Sequence, residues 1–289
     1  MARLQAVLRV DEVASTAMTL SLADVRRLLT DADIDPKKSL GQNFVIDPNT
    51  VRRVARLSRV GPESRVVEIG AGLGSLTLAL IETGARVTAI ETDKALIPIL
   101  TDLVGDHARI IEADVRNLKW EEVLPNPGWD LVANLPYNIA TSTVLTVLDE
   151  VPSIDRMLVM VQREAGERLA ASVGNSAYGA VSVRVALRAN ASVVGHVPPS
   201  VFYPRPRVTS ALVAIERVDH GIEPKVETEL IELLRIAFNQ RRKMLRKSLR
   251  SRVDEEVMER ANVAPTSRPE ELDLSNWVAL ARSSIGTKR

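Results

Sequence analysis

From residue 51 onward the apolar positions switch repeatedly between a two-residue and a helical period. Short β-branched runs fall at 65–69, 86–90, 109–112, 130–133 and 157–161. Segments with helical spacing lie among and after them at 73–83, 94–103, 141–148, 164–172 and 177–189. Repeated strand–helix units can bury their apolar faces only by enclosing a parallel sheet between helices, so the pattern predicts an α/β, doubly wound, Rossmann-like domain. Runs at 192–197 and 211–216 have no clear helix between them and predict an antiparallel finish to the sheet. Ahead of this, Ser21 and Asp24 resemble a capping box opening a helix over 22–31. Beyond Asp219-His220-Gly221 the pattern is helical only, with Leu230, Leu233, Leu234, Ala237 and Phe238 on one face. The expected organisation is an N-terminal extension over 1–20, an α/β domain over 21–220 and a small all-helical domain over 221–289.

Composition narrows the chemistry. The 289 residues are 45% hydrophobic and 26% charged, enough for one large core and a smaller second one. No apolar run reaches the roughly 18–20 residues of a membrane span, and residues 1–20 lack a secretory pattern, so a cytoplasmic location is expected. With no cysteine, a disulfide framework, a zinc–thiolate site and a cysteine nucleophile are all excluded. His107, His196 and His220 are scattered without ligand spacing, and no metal is expected. A monomer is the default state. The net charge of +1 says little, but the stretch from Arg235 to Arg252 carries eight Lys or Arg residues and no acid.

The first strand runs into Glu68-Ile69-Gly70-Ala71-Gly72-Leu73-Gly74. Alternate glycines allow a tight turn and close approach of a ligand to the backbone, although a ligand-free strand–helix turn has the same composition. Glu91 ends the second strand about 20 residues on, where a carboxylate can accept from ribose hydroxyls; helix capping is its bland alternative. Asp114, at the end of the third strand, is placed for an adenine amine. A pyrophosphate favours bare amides at a helix N-terminus. An acid beside the loop suits instead a cofactor with sulfonium and ammonium groups. S-adenosylmethionine therefore leads over NAD.

Asn134-Leu135-Pro136-Tyr137 closes the fourth strand. The N6 lone pair of adenine is delocalised into the ring and must be oriented to attack. The Asn134 side-chain carbonyl and the Leu135 backbone carbonyl can accept from the amine, Pro136 stiffens the turn, and Tyr137 offers a stacking face worth about 1–3 kcal/mol. A plain turn with a packing tyrosine is the competing reading.

These residues resemble the KsgA (RsmA) class of 16S rRNA adenine dimethyltransferases from about residue 35 to the C-terminus. Lys37-Lys-Ser-Leu-Gly41-Gln-Asn43-Phe-Val45-Ile-Asp47 is similar to the family's opening segment, with Val45 where leucine is usual. The resemblance implies cofactor contacts from Asn43, Val45, Gly70, Gly72, Glu91, Asp114 and Asn134. Phe202-Tyr-Pro204-Arg-Pro206-Arg-Val208-Thr-Ser210 matches a second family segment, and Phe202 is expected either as a further aromatic surface near the base or as a core anchor. Phe238-Asn-Gln-Arg241-Arg242-Lys243 is similar to the family's basic signature. By resemblance, the substrate is 16S rRNA in the small (30S) subunit: two adjacent adenosines of the 3′-terminal hairpin loop each receive two methyl groups, and S-adenosylhomocysteine is released.

A basic helix over 241–252 is expected to dock on the catalytic domain through Leu245 and Leu249 and to offer Arg241, Arg242, Lys243, Arg246 and Lys247 to phosphates. Two other functions stay open: a 23S rRNA adenine methyltransferase of the antibiotic-resistance type, and a nucleic-acid-binding assembly factor without turnover.

Overall fold

The computed structural model of the chain describes residues 19–286, so all but the last two positions of the expected 1–20 extension lie outside the described residues. The strands are β1 (Phe44–Val45), β2 (Arg65–Ile69), β3 (Arg86–Glu91), β4 (Ala108–Glu112) and β5 (Trp129–Asn134), then β6 (Ile154–Gln162), β7 (Ala189–Val197), β8 (Phe202–Tyr203) and β9 (Ser210–Arg217). Seven of them form one sheet in the order β4-β3-β2-β5-β6-β9-β7. The first five are parallel, whereas β9 runs antiparallel to both β6 and β7. β1 and β8 make a separate antiparallel pair.

Alternation along each central strand explains why both faces of this sheet are covered. Val67, Ile69, Leu131, Ala133, Met157, Val159 and Val161 belong to one buried cluster. Their neighbours Val66, Val132, Leu158 and Met160 belong to another, with the helices Pro48–Leu57 and Ser75–Ile81. A strand buried on both faces reads as a continuous apolar run, as β6 does. The helix Leu22–Asp31 begins with the reciprocal Ser21–Asp24 box and packs through Val25, Leu28 and Leu29 beside Leu73, Leu96 and Leu100.

Strand order reverses at β2, whose neighbours are β3 on one side and β5 on the other. The carboxyl ends of strands flanking such a switch point leave a crevice, because the connecting helices depart to opposite faces. The glycine loop follows β2 and Asn134 ends β5, so both open into that crevice.

From Pro224 on, the structure is helical, with Pro224–Phe238 and Leu274–Ile285 as its longest members. Leu230, Leu233, Leu234 and Ala237 are buried there around Trp277. Tyr178, Val183 and Leu187 share the same cluster, and the Tyr178 hydroxyl donates to the Leu272 carbonyl at 2.7 Å. The helix Ala180–Ala186 thus serves two cores.

The basic stretch departs from expectation. Instead of one helix over 241–252, residues 239–243 form turns and only Leu245–Ser248 is helical. Leu245 and Leu249 are buried, but in the helical cluster with Leu230, Leu233 and Trp277 rather than against the sheet. At the start of this short helix, Leu245 N and Arg246 N donate to the carbonyls of Ser267 and Pro265. No helix among the described residues is long and apolar enough to cross a membrane.

Candidate active site

One cleft at the switch point is lined by Asn43 to Val45, Glu68, Gly70 to Leu73, Glu91, and Asn134 to Tyr137. Of the residues singled out in the sequence, Asn43, Val45, Gly70, Gly72, Glu91, Asn134, Leu135, Pro136 and Tyr137 are brought together here.

The glycine loop reaches this shape through left-handed backbone, with φ of 75° at Gly70 and 59° at Gly72. A Cβ on Gly72 would sit 3.1 Å from the Phe44 ring, so the position needs glycine on both counts. Glu91 fixes the loop from the neighbouring strand. One of its oxygens accepts from Gly72 N at 2.7 Å; the other accepts from Thr92 N and Asp93 N at 2.9 and 2.8 Å. Burial pushes the Glu91 carboxyl above its ordinary range, and these three N–H donors oppose the shift. Glu68 is 1% exposed, and its carboxylate meets the Thr77 hydroxyl at 2.6 Å. Burial pushes it up to about 8. Two acids thus line the cleft, and no Lys, Arg or His among the described residues does.

At the end of β5 the Asn134 amide is oriented by its own donor: Nδ2 gives a hydrogen bond to the Asn43 carbonyl at 3.1 Å. Its Oδ1 is thereby turned to act as an acceptor. Leu135 is buried, with its N–H spent on Met160 O at 3.1 Å. Tyr137 is half-buried, and its hydroxyl lies 2.7 Å from Ser210 Oγ on β9. Burial raises the Tyr137 phenol above its usual range, while the Ser210 contact works the other way.

Two of the residues singled out in the sequence lie outside this lining. Phe202 does not line the cleft: it is 2% exposed and packs beside Val45, Val66 and Leu212, paired through β8 with Val45. Its ring offers no open face to a base in this conformation, and the anchor role is the one its packing supports. Asp114 is also absent from the lining. It caps the turn Val115–Asn117 and is held by Arg116 at 2.6 Å, which keeps its carboxyl below the usual range.

In the basic stretch, Arg241 is bonded to Glu270 at 2.5 Å and to Ser176 O, and Arg246 lies 3.8 Å from Glu255. Arg242, Lys243 and Lys247 are exposed without an acid partner among the described residues. Ser210, the partner of the Tyr137 hydroxyl, carries no local signal of that contact. Ser210 lies 73 positions from Tyr137 in the chain. Only its place at the end of the Phe202–Ser210 segment hints at a function.

Comparison with known proteins places this geometry. Residues 35–283 match the family described as ribosomal RNA adenine dimethylase. The chain is 43% identical over 281 residues to "Ribosomal RNA small subunit methyltransferase A" of Thermobifida fusca, covering 93% of this chain and 97% of that one. It is 41% identical over 289 residues to the protein of that name from Mycobacterium avium, covering 94% and 90%. Among solved structures, a dimethyladenosine transferase from Plasmodium falciparum matches with TM-score 0.71 at 23% identity, covering 82% of this chain and 95% of its own. The 23S rRNA methyltransferase ErmE matches with TM-score 0.67 at 24% identity, covering 83% and 99%. These two share the fold. The matched length, the identity to the relatives and the shared architecture lead to one conclusion: the chain belongs to the ribosomal RNA adenine dimethylase family.

Proposed function

We propose that this chain transfers methyl groups from S-adenosylmethionine to N6 of two adjacent adenosines in the 3′-terminal hairpin loop of 16S rRNA, within the small (30S) subunit. The observation that carries the reading is the shared cleft: a glycine loop braced by Glu91 lies on one side of the switch point and Asn134 to Tyr137 on the other. The lining suits a cofactor without a pyrophosphate: it holds Glu68, uncharged below about pH 8, and Glu91, and no Lys, Arg or His among the described residues to pair with the phosphates of NAD.

When bound, S-adenosylmethionine supplies an electrophilic methyl carbon next to a sulfonium. The residues of the chain do the rest by positioning. Asn134 Oδ1 and the Leu135 carbonyl accept from the adenine amine and direct its nitrogen lone pair, and they stabilise the positive charge that develops there. Tyr137 holds the ring by stacking. RNA loops suit such a pocket because their bases are already partly unstacked and cost less to insert. Residues 221–289 serve as the RNA-binding part, with Arg242, Lys243 and Lys247 among its available cations.

The test is labelled methyl incorporation by the full chain into under-methylated small subunits, with bare large-subunit RNA alongside, followed by mapping of the modified bases. Label on two adjacent adenosines of the small-subunit hairpin is expected. Label on large-subunit RNA, or tight binding with no label at all, refutes the reading.

A further inference from the structure

One wall of the cleft is made by the strap 40–45, which joins the helices Leu22–Asp31 and Pro48–Leu57. Three pins hold the strap and the residues leading into it. Ser75 Oγ donates to the Val45 carbonyl at 2.8 Å, and Asn134 Nδ2 donates to the Asn43 carbonyl. The third pin is Asp93, a residue outside the lining whose side chain is 3% exposed. One of its oxygens takes Lys37 Nζ at 2.7 Å, and the other takes Gln42 Nε2 at 2.8 Å.

Gln42 cannot turn its amide over without loss, because its Oε1 already accepts from Lys37 N at 2.7 Å. The site therefore requires an acceptor on both arms of residue 93. Burial works to raise the Asp93 carboxyl, but the donors from Lys37, Gln42 and Ala95 N prevail and hold it below its ordinary range. The same residue is tied to the cofactor side: Asp93 N donates to Glu91 Oε1, while Glu91 Oε2 holds the glycine loop at Gly72 N. A turn of three residues, 91–93, thus joins the glycine loop to the strap opposite.

We propose that Asp93 is a positioning residue of the cofactor site, clasping the strap through Lys37 and Gln42 so that the wall formed by 40–45 stays closed on the bound cofactor. This rests on reading the cleft as an S-adenosylmethionine site. Charge-assisted hydrogen bonds to a buried carboxylate are the strong kind, and opening the strap breaks two of them together. The clasp therefore governs release of the cofactor more than its entry.

The test uses the full chain, with S-adenosylhomocysteine as the probe, and reads its Kd, its dissociation rate and amide exchange in 37–45 and 154–162. Asp93→Ala is expected to release the probe about ten-fold faster and to speed exchange in 37–45 while leaving 154–162 unchanged. Asp93→Asn, which sets a donor against the Gln42 donor, should weaken binding several-fold. The swap Asp93→Asn with Gln42→Glu restores a donor–acceptor pair and should return affinity to within about two-fold of wild type. Lys37→Met, outside the cleft, should show a two- to three-fold loss and covers the case in which Asp93→Ala does not fold. Wild-type affinity in Asp93→Asn, unmoved exchange in 37–45, or a swap no better than Asp93→Asn alone overturns the clasp. Failure of the wild-type chain to bind the probe overturns the cofactor reading instead.

Discussion

The bond between Tyr137 and Ser210 gives the sharpest quantitative expectation, because its two ends sit in different surroundings. Ser210 is 0% exposed on β9, and Tyr137 Oη, 2.7 Å away, is the side-chain partner of its hydroxyl. Tyr137 is half-buried, on the side of the cleft. Tyr137→Phe leaves the serine hydroxyl in the interior without its partner, a loss of about 1–3 kcal/mol. Ser210→Ala puts a small apolar group where no water reaches and leaves a phenol that can still turn toward solvent. That loss is nearer the net value of an ordinary hydrogen bond, about 0.5–1 kcal/mol. Urea denaturation of the two single variants should therefore rank Tyr137→Phe as the more destabilised. The double variant should be no worse than Tyr137→Phe, since the orphan has been removed. On activity, both single variants free the same ring, so each should lower kcat/KM for RNA by several-fold, and the double should match them. A Ser210→Ala chain less stable than Tyr137→Phe, or additive losses in kcat/KM, would refute the reasoning.

Three further outcomes rest on particular side chains. Gly72→Ala forces a left-handed alanine against the Phe44 ring, with a backbone cost of about 1–2 kcal/mol before the clash, and should abolish cofactor binding in a thermal-shift assay; Gly61→Ala, with open space around it, should not. Glu68, pushed up to about 8 from an ordinary value near 4.5, binds more protons folded than unfolded between those values. Without cofactor, stability should therefore fall as pH rises through that window, and Glu68→Gln should flatten the slope; parallel Tm–pH curves would contradict this. Arg242→Ala with Lys247→Ala should weaken RNA binding and reduce its log–log salt slope by about 1.4, near 0.7 for each phosphate of single-stranded RNA that is no longer neutralised. Arg241→Ala, whose guanidinium is tied to Glu270, should lower helical-domain stability and leave that slope nearly intact.

Much of the site is legible in the chain because its parts lie at strand ends, where local pattern and chemistry coincide. β2 is expected and observed over the same residues, and the glycine loop, Glu91 and Asn134 follow from the order of the strand ends. The helix over 22–31 is readable because its cap is a local exchange between Ser21 and Asp24. The departures have two causes, packing between distant elements and, at Asp114, a neighbour two residues on. Phe202 is apolar and aromatic, qualities equally suited to a core and to a stacking face; only the packing of β8 against β1 assigns it to the core. Asp114 has the right position in the sequence, but Arg116 two residues on engages it. The basic stretch has helical spacing, yet residues 239–243 turn, and the carbonyls of Ser267 and Pro265 take the N–H groups of Leu245 and Arg246 at the start of a new short helix.

The sequence by itself determined the alternation of strand and helix, the acid and glycine positions of the loop after β2, and the tetrapeptide at the end of β5, since these depend on residues within a few positions of one another. Tertiary structure alone decided which cations are free, which aromatic faces the cleft, and that Ser210 and Asp93 support it. Those outcomes depend on partners 73 and 51 positions away, brought near only when the sheet closes around its switch point.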